Sequence, residues 1–393
     1  MKVAVVKERR AHERRVAASP DTVKRMVGMG LEVVAECGAG EGACFSDSAF
    51  AAAGAKITAD AAMALGDADI VLKVQRPLID GEGGISELKY LKPGSVLIGL
   101  LQPSQNLADI EAYARAGIAA FAMELLPRIT RAQAMDVLSS QANLAGYKAA
   151  LDAAAEFGRA FPMMMTAAGT IKAARVLVMG AGVAGLQAIA TARRLGAIVS
   201  ATDVRAAAKE HVESLGATFI TIDEATARSA ETAEGYAREM GGDYQRRQRE
   251  RITEALKRTD IVICTALLPG RKAPVLLTDV MVAELAPGSV IIDLAVEAGG
   301  NVEGSRPDEI VTTPHGVRII GHVNMPSRIA ADASQLYARN LLAFLTLLVD
   351  KDHQLKIDSA DEIIKATLLT ENGVIVNPAL LSSTIVSASA PSG

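Results

Sequence analysis

The chain is 393 residues long, half of its residues are apolar, and its formal net charge at pH 7 is −4. This length accommodates about two to three domains with large buried cores. The small net charge, without a long Lys/Arg block, argues against a nucleic acid or a lipid surface as partner. The longest late apolar run, residues 341–349, is far shorter than the ~20 residues that span a bilayer, so we expect the chain itself not to cross a membrane.

Residues 1–125 alternate strand-like and helix-like segments. The strand-like segments are 2–6, 32–36, 70–73, 95–98 and 119–122, and the helix-like segments are 20–29, 46–53 and 106–116. Such alternation predicts a βα domain with a mainly parallel sheet. The glycine-rich loop 38–42 is followed by no suitably placed acid, which favours tight packing over nucleotide binding.

Residues 135–161 are rich in alanine and contain no glycine other than Gly146 and Gly158. This composition predicts one long helix that leads out of the first domain. Three cysteines, Cys37, Cys44 and Cys264, are too few and too scattered for a disulfide framework or a zinc site. We expect all three to be buried, reduced thiols.

Three glycines, Gly180, Gly182 and Gly185, lie between the apolar run 176–179 and a helix that begins near Val183. The first allows a tight turn, the second lets the backbone approach a pyrophosphate, and the third lets the helix pack closely on the strand. The free N–H groups and the positive dipole end of the helix then meet the phosphates. The spacing predicts a dinucleotide-binding site, although a glycine-rich turn in another α/β protein can have the same spacing.

Asp203 follows the next strand-like segment, residues 198–202. At this offset a carboxylate accepts a hydrogen bond from a ribose 2′-hydroxyl group. The same carboxylate would repel a 2′-phosphate. The sequence therefore predicts a site that prefers NAD(H) to NADP(H).

Further strands are expected at residues 219–222, 261–264, 289–292 and 318–321, with a turn at 312–316. A second long helix, 326–349, leads back to the first domain, where Asn372-Gly373 predicts a hairpin between 366–370 and 374–376. The predicted fold is therefore α/β, with two Rossmann-like domains that have mainly parallel sheets and are joined by two long helices. Residues 1–135 plus 327–380 form the first domain, 136–326 form the second, and 381–393 form a disordered tail.

The connection between residues 222 and 261 is longer than the single helix usual in such a sheet. Long connections of this kind are often lids, so we expect a mobile loop near 223–243, with Tyr236 and Met240 closing over a ligand. The arginine-rich stretch 244–256 is interpreted as a solvated helix face with glutamate partners.

Polar residues of a ligand-binding type stand just before and inside the first long helix: Arg128, Gln133, Asp136 and Ser139. Together with 161–170, 7–9, 292–300 and 321–326, this stretch resembles the NAD(H)-binding component (domain I, the alpha-1 subunit) of proton-translocating NAD(P) transhydrogenase. The resemblance covers nearly the whole chain. By residue type alone, Arg128 to Asp136 could equally be an ion-paired helix start.

The resemblance implies a set of cofactor-binding residues. The loop with Arg128, Gln133 and Asp136 would hold the nicotinamide and its ribose, and the glycine loop with Asp203 would hold the adenosine half. Tyr236 corresponds to a mobile-loop tyrosine that closes over the nucleotide. The complete expected set is Arg128, Ile129, Gln133, Asp136, Ser139, Gly180, Gly182, Val183, Ala184, Gly185, Asp203, Val204, Arg205, Gly235, Tyr236, Gln248, Ala266 and Leu267.

The resemblance also implies the reaction and the partners. Hydride would pass from NADH on this chain to NADP⁺ on a separate NADP(H)-binding subunit, while a membrane-spanning subunit translocates protons. The chain would be a homodimer, peripherally attached on the cytoplasmic side of the inner membrane complex. Transfer between two nicotinamides needs no general acid or base, so the protein supplies placement.

Two other functions are consistent with parts of the sequence. An alanine dehydrogenase-like enzyme shares the start 7–20 and residues 72–74, but the position of its acid/base histidine falls near Gln102, which cannot shuttle a proton. Arg15 and Lys73 are then structural, as are the lone histidines His12 and His322. A non-enzymatic NAD-binding partner protein would share the glycine motif and the lid.

Overall fold

The computed structural model describes residues 1–221, 242–267, 270–350 and 352–381. It divides into two compact units. Unit 1 comprises Met1–Gln141 and Ser327–Gly393, and unit 2 comprises Ala142–Pro326. The predicted lid near 223–243 falls almost entirely outside the described residues, and so does the predicted tail beyond Leu381.

The strands of the described residues follow in chain order: β1 Lys2–Val5, β2 Glu32–Glu36, β3 Lys56–Thr58, β4 Ile70–Gln75, β5 Val96–Leu100, β6 Ala119–Ala122, β7 Met164–Thr166, β8 Gly169–Ile171, β9 Arg175–Met179, β10 Ile198–Thr202, β11 Thr218–Phe219, β12 Ile261–Cys264, β13 Val290–Asp293, β14 Ile310–Thr312, β15 Arg318–Ile320, β16 Leu368–Glu371 and β17 Val374–Ile375.

The α-helices of the same residues are α1 Pro20–Gly28, α2 Asp47–Ala52, α3 Ala61–Leu65, α4 Leu107–Arg115, α5 Val137–Glu156, α6 Val183–Arg194, α7 Ala208–Ser214, α8 Gly242–Leu256, α9 Asp279–Val282, α10 Ala330–Leu348 and α11 Glu362–Thr367. Several begin at a short polar side chain that caps a free backbone N–H group, as at Ser19 before α1 and Asp60 before α3. These caps fix where each helix leaves its loop.

Unit 1 contains an eight-stranded sheet in the order β17-β16-β6-β5-β4-β1-β2-β3, as far as its described residues go. The strands from β3 to β6 are parallel, and β16 and β17 are antiparallel additions. Because β1 lies between β2 and β4, the chain reverses its winding direction at that position. Val3 and Val5 face one buried cluster with Phe344 of α10, and Ala4 and Val6 face the other.

Unit 2 contains a seven-stranded sheet, counted over its described residues, in the order β11-β10-β9-β12-β13-β15-β14. All neighbours except β14 and β15 are parallel, and the winding reverses between β9 and β12. Alternate residues of β9 face two cores, with Val176 and Val178 on one side and Leu177 and Met179 on the other. Both units therefore have the doubly wound, mainly parallel architecture that the sequence predicts.

Several details differ from the sequence-based expectation. The first long helix, α5, occupies Val137–Glu156 rather than 135–161, and α10 begins at Ala330 after a 3₁₀ turn. The pattern did not anticipate β14 or the small hairpin β7-β8, whose residues are all exposed. Cys37 and Cys44 are exposed, so the expectation of three buried thiols is wrong for these two because both lie in the turns that follow β2.

The predicted hairpin at Asn372-Gly373 is present between β16 and β17, with both residues at positive φ, 50° and 83°. Such backbone angles are those of a type I′ turn, which matches the twist of the flanking strands. Among the described helices, none is both long enough and apolar enough to cross a membrane.

Candidate nucleotide site

The glycine turn lies directly after β9, at the carboxyl edge of the unit 2 sheet. Gly180 has φ +103°, and a Cβ atom there would lie 2.6 Å from Oγ1 of Thr265. A Cβ atom on Gly185 would lie 1.9 Å from the carbonyl oxygen of Gly180. Both positions therefore require glycine, for the two reasons that the sequence motif suggests: the turn itself and the close approach of α6.

The amino-terminal end of α6 faces this turn. Gly182 occupies the N-cap position without a capping side chain, and Val183 at the first helical position is 44 % exposed. Ala184 is half-buried, because Gly146 of α5 packs against its backbone. The uncapped N–H groups and the helix dipole favour an anion at this point.

Asp203 follows β10 and lies beside the turn. Its carboxylate accepts hydrogen bonds from the backbone N–H of Ala181 (2.7 Å) and from the backbone N–H of Arg205 (2.8 Å). The guanidinium group of Arg205 adds two more, from Nε (2.9 Å) and Nη2 (2.8 Å). Burial opposes ionisation of Asp203, but the hydrogen bonds and charge of Arg205 outweigh it and lower the pKa.

The two oxygens of Asp203 thus make four hydrogen bonds, which fills their ordinary capacity. The side chain is only 6 % exposed. A ribose hydroxyl group would have to share or replace a bond that Arg205 now makes. Arg205 also lies near the helix start, since its Nη2 is 3.9 Å from the Cβ position of Gly182. Val204 between them is half-buried.

The loop after β12 forms the opposite side of the turn. The backbone N–H of Thr265 donates to the carbonyl of Met179 (2.9 Å), and its hydroxyl donates to the carbonyl of Gly180 (2.9 Å). Ala266 and Leu267 follow, and Leu267 is 52 % exposed. The turn after β9 and the loop after β12 therefore flank the position where the strand order reverses, which is where open α/β sheets bind ligands.

The polar residues predicted to hold the nicotinamide belong to unit 1. Arg128 and Gln133 are exposed, and Gln133 lies in the 3₁₀ turn Thr130–Met135. Asp136 caps α5, since its carboxylate accepts from the backbone N–H (2.9 Å) and the hydroxyl (2.6 Å) of Ser139. The helix-start role that residue types alone allowed for Asp136 is therefore present.

This loop is anchored from two sides. Arg131 makes a two-point ion pair with Asp361 (2.6 and 2.8 Å) at the start of α11, and Nδ2 of Asn340 donates to the carbonyl of Ala134 (2.8 Å). Ile129 packs against the unit 1 core. The anchors hold the backbone while Arg128 and Gln133 face outward. Of the remaining predicted residues, Gly235, Tyr236 and the side chain of Gln248 lie outside the described part of the chain.

The corresponding edge of unit 1, after β1 and β4, holds a buried ionic cluster instead of a glycine turn. Lys73 pairs with Glu8 (3.2 Å) and Glu87 (3.0 Å), and all three side chains are at most 2 % exposed. Burial raises the pKa of Glu8 to about 7, although Lys73 opposes the shift. Beside them, Arg15 pairs with Glu13 at 2.7 Å.

Gln102 lies at the same edge of unit 1, after β5, with φ +49°. Its side chain is exposed, and its backbone N–H donates to the carboxylate of Glu124. Burial raises the pKa of Glu124 to about 7. The glycine-rich loop 38–42 is packed tightly: a Cβ atom on Gly40 or Gly42 would lie 2.5 Å from a backbone oxygen, of Phe45 and Arg14 respectively.

Comparison with known proteins assigns the chain to a family. The model described as "Alanine dehydrogenase/PNT, N-terminal domain" matches residues 4–145, and "Alanine dehydrogenase/PNT, C-terminal domain" matches residues 149–378. The two matches cover almost the whole chain, so it belongs to the alanine dehydrogenase/PNT family.

Within this family the chain is similar to transhydrogenase subunits. It is 58 % identical to the first of the polypeptides that make up the NAD(P) transhydrogenase subunit alpha of Rhodospirillum rubrum, over 97 % of this chain and 99 % of that protein. The same polypeptide of Rickettsia prowazekii is 47 % identical, over 96 % of both chains. Alanine dehydrogenase of Halomonas elongata is 30 % identical over 95 % of this chain and 94 % of that protein.

Solved structures give the same order of similarity. A transhydrogenase from Sinorhizobium meliloti superposes with a TM-score of 0.86 at 50 % identity, covering 96 % of this chain and all of that one. An L-alanine dehydrogenase superposes with a TM-score of 0.81 at 25 % identity, covering 98 % and 99 %. These matches agree with the predicted resemblance and the predicted fold class.

Proposed function

We propose that the chain binds NAD(H) in unit 2 and passes hydride to NADP⁺ held by a separate subunit, as the NAD(H)-binding component of a transhydrogenase. The observation that carries the proposal is the glycine turn Gly180–Gly185 at the switch point of the unit 2 sheet, between the start of α6 and the loop 265–267. The transhydrogenase names of the similar proteins support it.

Each group at the site has a role in this proposal. The uncapped start of α6 and Arg205 would hold the pyrophosphate, and Asp203 would recognise the adenosine ribose. Arg128 and Gln133 offer a cation and an amide from an anchored loop. They would orient the nicotinamide, together with Asp136 and Ser139. NADH supplies the hydride, so these residues bind and orient without moving a proton.

Placement is then the main source of rate acceleration, because a well-oriented pair of reactants can gain roughly 7–11 kcal/mol. Gln133→Asn shortens an exposed amide by one methylene group and should lower hydride transfer by about 10²-fold with little change in NADH affinity. Tyr236→Ala should instead raise the dissociation constant of NADH, with a smaller loss of rate. Stopped-flow transfer and NADH titration in the reconstituted assembly measure both. A Gln133→Asn rate within about twofold of the parent would contradict the proposed role of the loop.

The proposal includes partners: an NADP(H)-binding subunit, a membrane-spanning proton-translocating subunit and a second copy of this chain, assembled peripherally at the cytoplasmic side of the membrane. The exposed hairpin β7-β8 supports self-association, since Met163 is 62 % and Met165 is 79 % exposed. Light scattering at micromolar concentration tests this point. A dimer that Met165→Asp converts to a monomer supports it, and a monomeric parent chain contradicts it.

The central experiment mixes the purified chain with a purified NADP(H)-binding subunit and follows hydride transfer from NADH to an NADP⁺ analogue. Turnover that requires both proteins supports the proposal. Binding of NADH without turnover would instead favour a non-enzymatic NAD-binding protein, and absence of NADH binding would contradict both.

The alanine dehydrogenase activity of other family members predicts NADH oxidation by the chain alone with pyruvate and ammonium. Two observations argue against it here. Gln102 offers no titratable group at the position expected for the acid/base histidine, and Lys73 and Arg15 are buried in ion pairs with Glu8, Glu87 and Glu13. We expect no activity in that assay, and steady oxidation would show the transhydrogenase proposal to be incomplete.

A further inference from the structure

We propose that Asn301 is a positioning residue for the nucleotide site, which it serves by fixing the backbone of Ala266 from beneath. The inference rests on the proposed function. Asn301 lies in unit 2 after β13, outside the sequence motifs, and is fully buried. A single asparagine after two glycines carries no pattern that sequence reasoning could use.

The amide of Asn301 is completely satisfied by backbone groups. Its Oδ1 accepts the N–H of Ala266 (3.0 Å), while its Nδ2 donates to the carbonyl of Ala266 (2.8 Å) and to that of Pro274 (2.8 Å). A two-point contact with the N–H and the C=O of one residue is what a neighbouring strand gives within a sheet. Asn301 therefore extends the hydrogen bonding of β12 past its end.

A buried carboxylate fixes Asn301 in turn. Asp293, the last residue of β13, is fully buried and accepts the backbone N–H of Asn301 (3.0 Å) and of Val302 (3.3 Å). It also accepts the N–H of Ala295 (2.9 Å). Gly300 is at φ +79°, and a Cβ atom there would lie 2.9 Å from Oδ2 of Asp293, so the loop can close over the carboxylate only with glycine.

The position of Ala266 determines the geometry of the crevice. Its N–H group is 3.3 Å from the Cβ position of Gly180, and the preceding residue, Thr265, hydrogen-bonds the carbonyl of Gly180. The following residue, Leu267, is half-exposed beside the turn. A shift of Ala266 would therefore move both the floor of the glycine turn and the side chain that borders the bound nucleotide. A displacement of about 1 Å at such a contact costs much of the rate that placement provides.

The amide chemistry makes this contact specific. Asp at position 301 would keep an acceptor for the N–H of Ala266, but its second oxygen would face the carbonyls of Ala266 and Pro274, which are both acceptors. Ala would remove the contact and leave three buried backbone groups without it. Loss of a two-point contact of this kind corresponds to about a tenfold change in an equilibrium constant.

A matched control exists in unit 1. Asn377 is 3 % exposed, and its amide also makes three hydrogen bonds to backbone groups, at 3.1 Å to the carbonyls of Ala366 and Leu368 and to the N–H of Ala379. Replacing it removes the same chemistry at a position outside the proposed nucleotide site. Any general effect of losing a buried amide is therefore common to both variants.

The experiment compares Asn301→Asp, Asn301→Ala and Asn377→Ala in the full chain, by NADH titration and by hydride transfer with the NADP(H)-binding subunit. We expect both Asn301 variants to raise the NADH dissociation constant by about tenfold and to lower transfer further, while Asn377→Ala changes both by less than about twofold. Hydrogen exchange in peptides covering 262–267 should be faster in Asn301→Asp without nucleotide.

The outcomes separate the inference from the proposed function. If Asn301→Asp folds, lowers the melting temperature like Asn377→Ala and binds NADH within about twofold of the parent, Asn301 is structural only and the inference is wrong. If Asn301→Ala does not fold, Asn301→Asp and its exchange pattern give the result. If the parent chain itself fails to bind NADH, the proposed function fails first, whatever the variants do.

Discussion

The two units have the same strand order around their switch points but use these positions differently. In unit 2 the chain leaves β9 through Gly180 and Gly182, and the residues around the turn are partly exposed. In unit 1 the chain leaves β1 toward Glu8, whose carboxylate accepts the N–H of Val74 (2.7 Å) and pairs with Lys73. One crevice is open and bordered by backbone, and the other is filled by charged side chains.

The difference teaches that the topology provides a crevice and that local residues decide whether it accepts a ligand. Glycines in unit 2 leave N–H groups accessible to an anion. In unit 1 the buried ion pairs saturate the available charges. Nucleotide binding should therefore depend on unit 2 backbone geometry, and stability should depend on unit 1 charge pairing. Four predictions test this division.

The largest effect is expected at Gly185. Gly185→Ala places a Cβ atom 1.9 Å from the carbonyl oxygen of Gly180, so α6 or the turn has to move. We expect loss of more than about 100-fold in NADH affinity and a destabilisation of several kcal/mol. Gly158→Ala is the control, because no atom lies within 4 Å of its Cβ position. Unchanged NADH titration in Gly185→Ala would contradict the open-crevice description.

Lys73→Met tests the filled crevice. It leaves Glu8 and Glu87 buried without the ammonium group that pairs with both, which should cost about 3–5 kcal/mol of unfolding free energy. NADH affinity of the folded variant should change by less than about twofold. Lys89→Met is the control, because its ion pair with Asp80 is exposed and contributes about 1 kcal/mol or less. Urea denaturation measures both, and equal midpoints would show that the cluster is not stabilising.

The preference for NAD(H) should change at Asp203. The parent chain is expected to bind NADPH at least about tenfold more weakly than NADH. Asp203→Asn keeps an acceptor for the N–H of Ala181 but frees the Arg205 guanidinium for a 2′-phosphate, so the preference should disappear. Arg205→Leu leaves the carboxylate uncompensated and should sharpen it. Equilibrium dialysis decides, and a preference that survives in Asp203→Asn would mean that other groups set it.

The smallest effect is a pH dependence in unit 1. Because burial raises the pKa of Glu124 from 4.5 to about 7, its neutral form favours folding below about pH 4.5 and this contribution is lost as pH rises through about 7. Glu124→Gln stays neutral, so its melting temperature relative to the parent should rise by about 2–6 °C between pH 4.5 and 8. The exposed Glu111→Gln should show no such trend. A parallel pair of pH curves would contradict the role of burial.

Sequence patterns reached the open crevice more readily than the filled one, for a physical reason. The turn at Gly180–Gly185 depends on backbone angles and close approaches within a few residues, and the glycine spacing records these requirements directly. The unit 1 cluster joins Glu8 to Lys73 and Glu87, and the support of Ala266 comes from Asn301, so both depend on long-range contacts. Arg128 and Gln133 carry no local signature and were reached only through family resemblance.

The cysteines show the same limit. Composition favours burial of free cysteine, but Cys37 lies where β2 ends and its thiol donates to Asp47 (3.0 Å), while Cys44 occupies a left-handed turn at φ +62°. Local chain geometry at those turns outweighs the average preference.

The central claim is that this chain presents NADH so that its hydride moves directly to a second nicotinamide. The most direct measurement uses NADH deuterated at C4, the purified chain, the NADP(H)-binding subunit and NADP⁺ in ordinary water, with mass spectrometry of the products. The account predicts deuterium in the NADPH formed and none exchanged into solvent. Reduced NADP without the label, or reduction that proceeds without this chain, would contradict it.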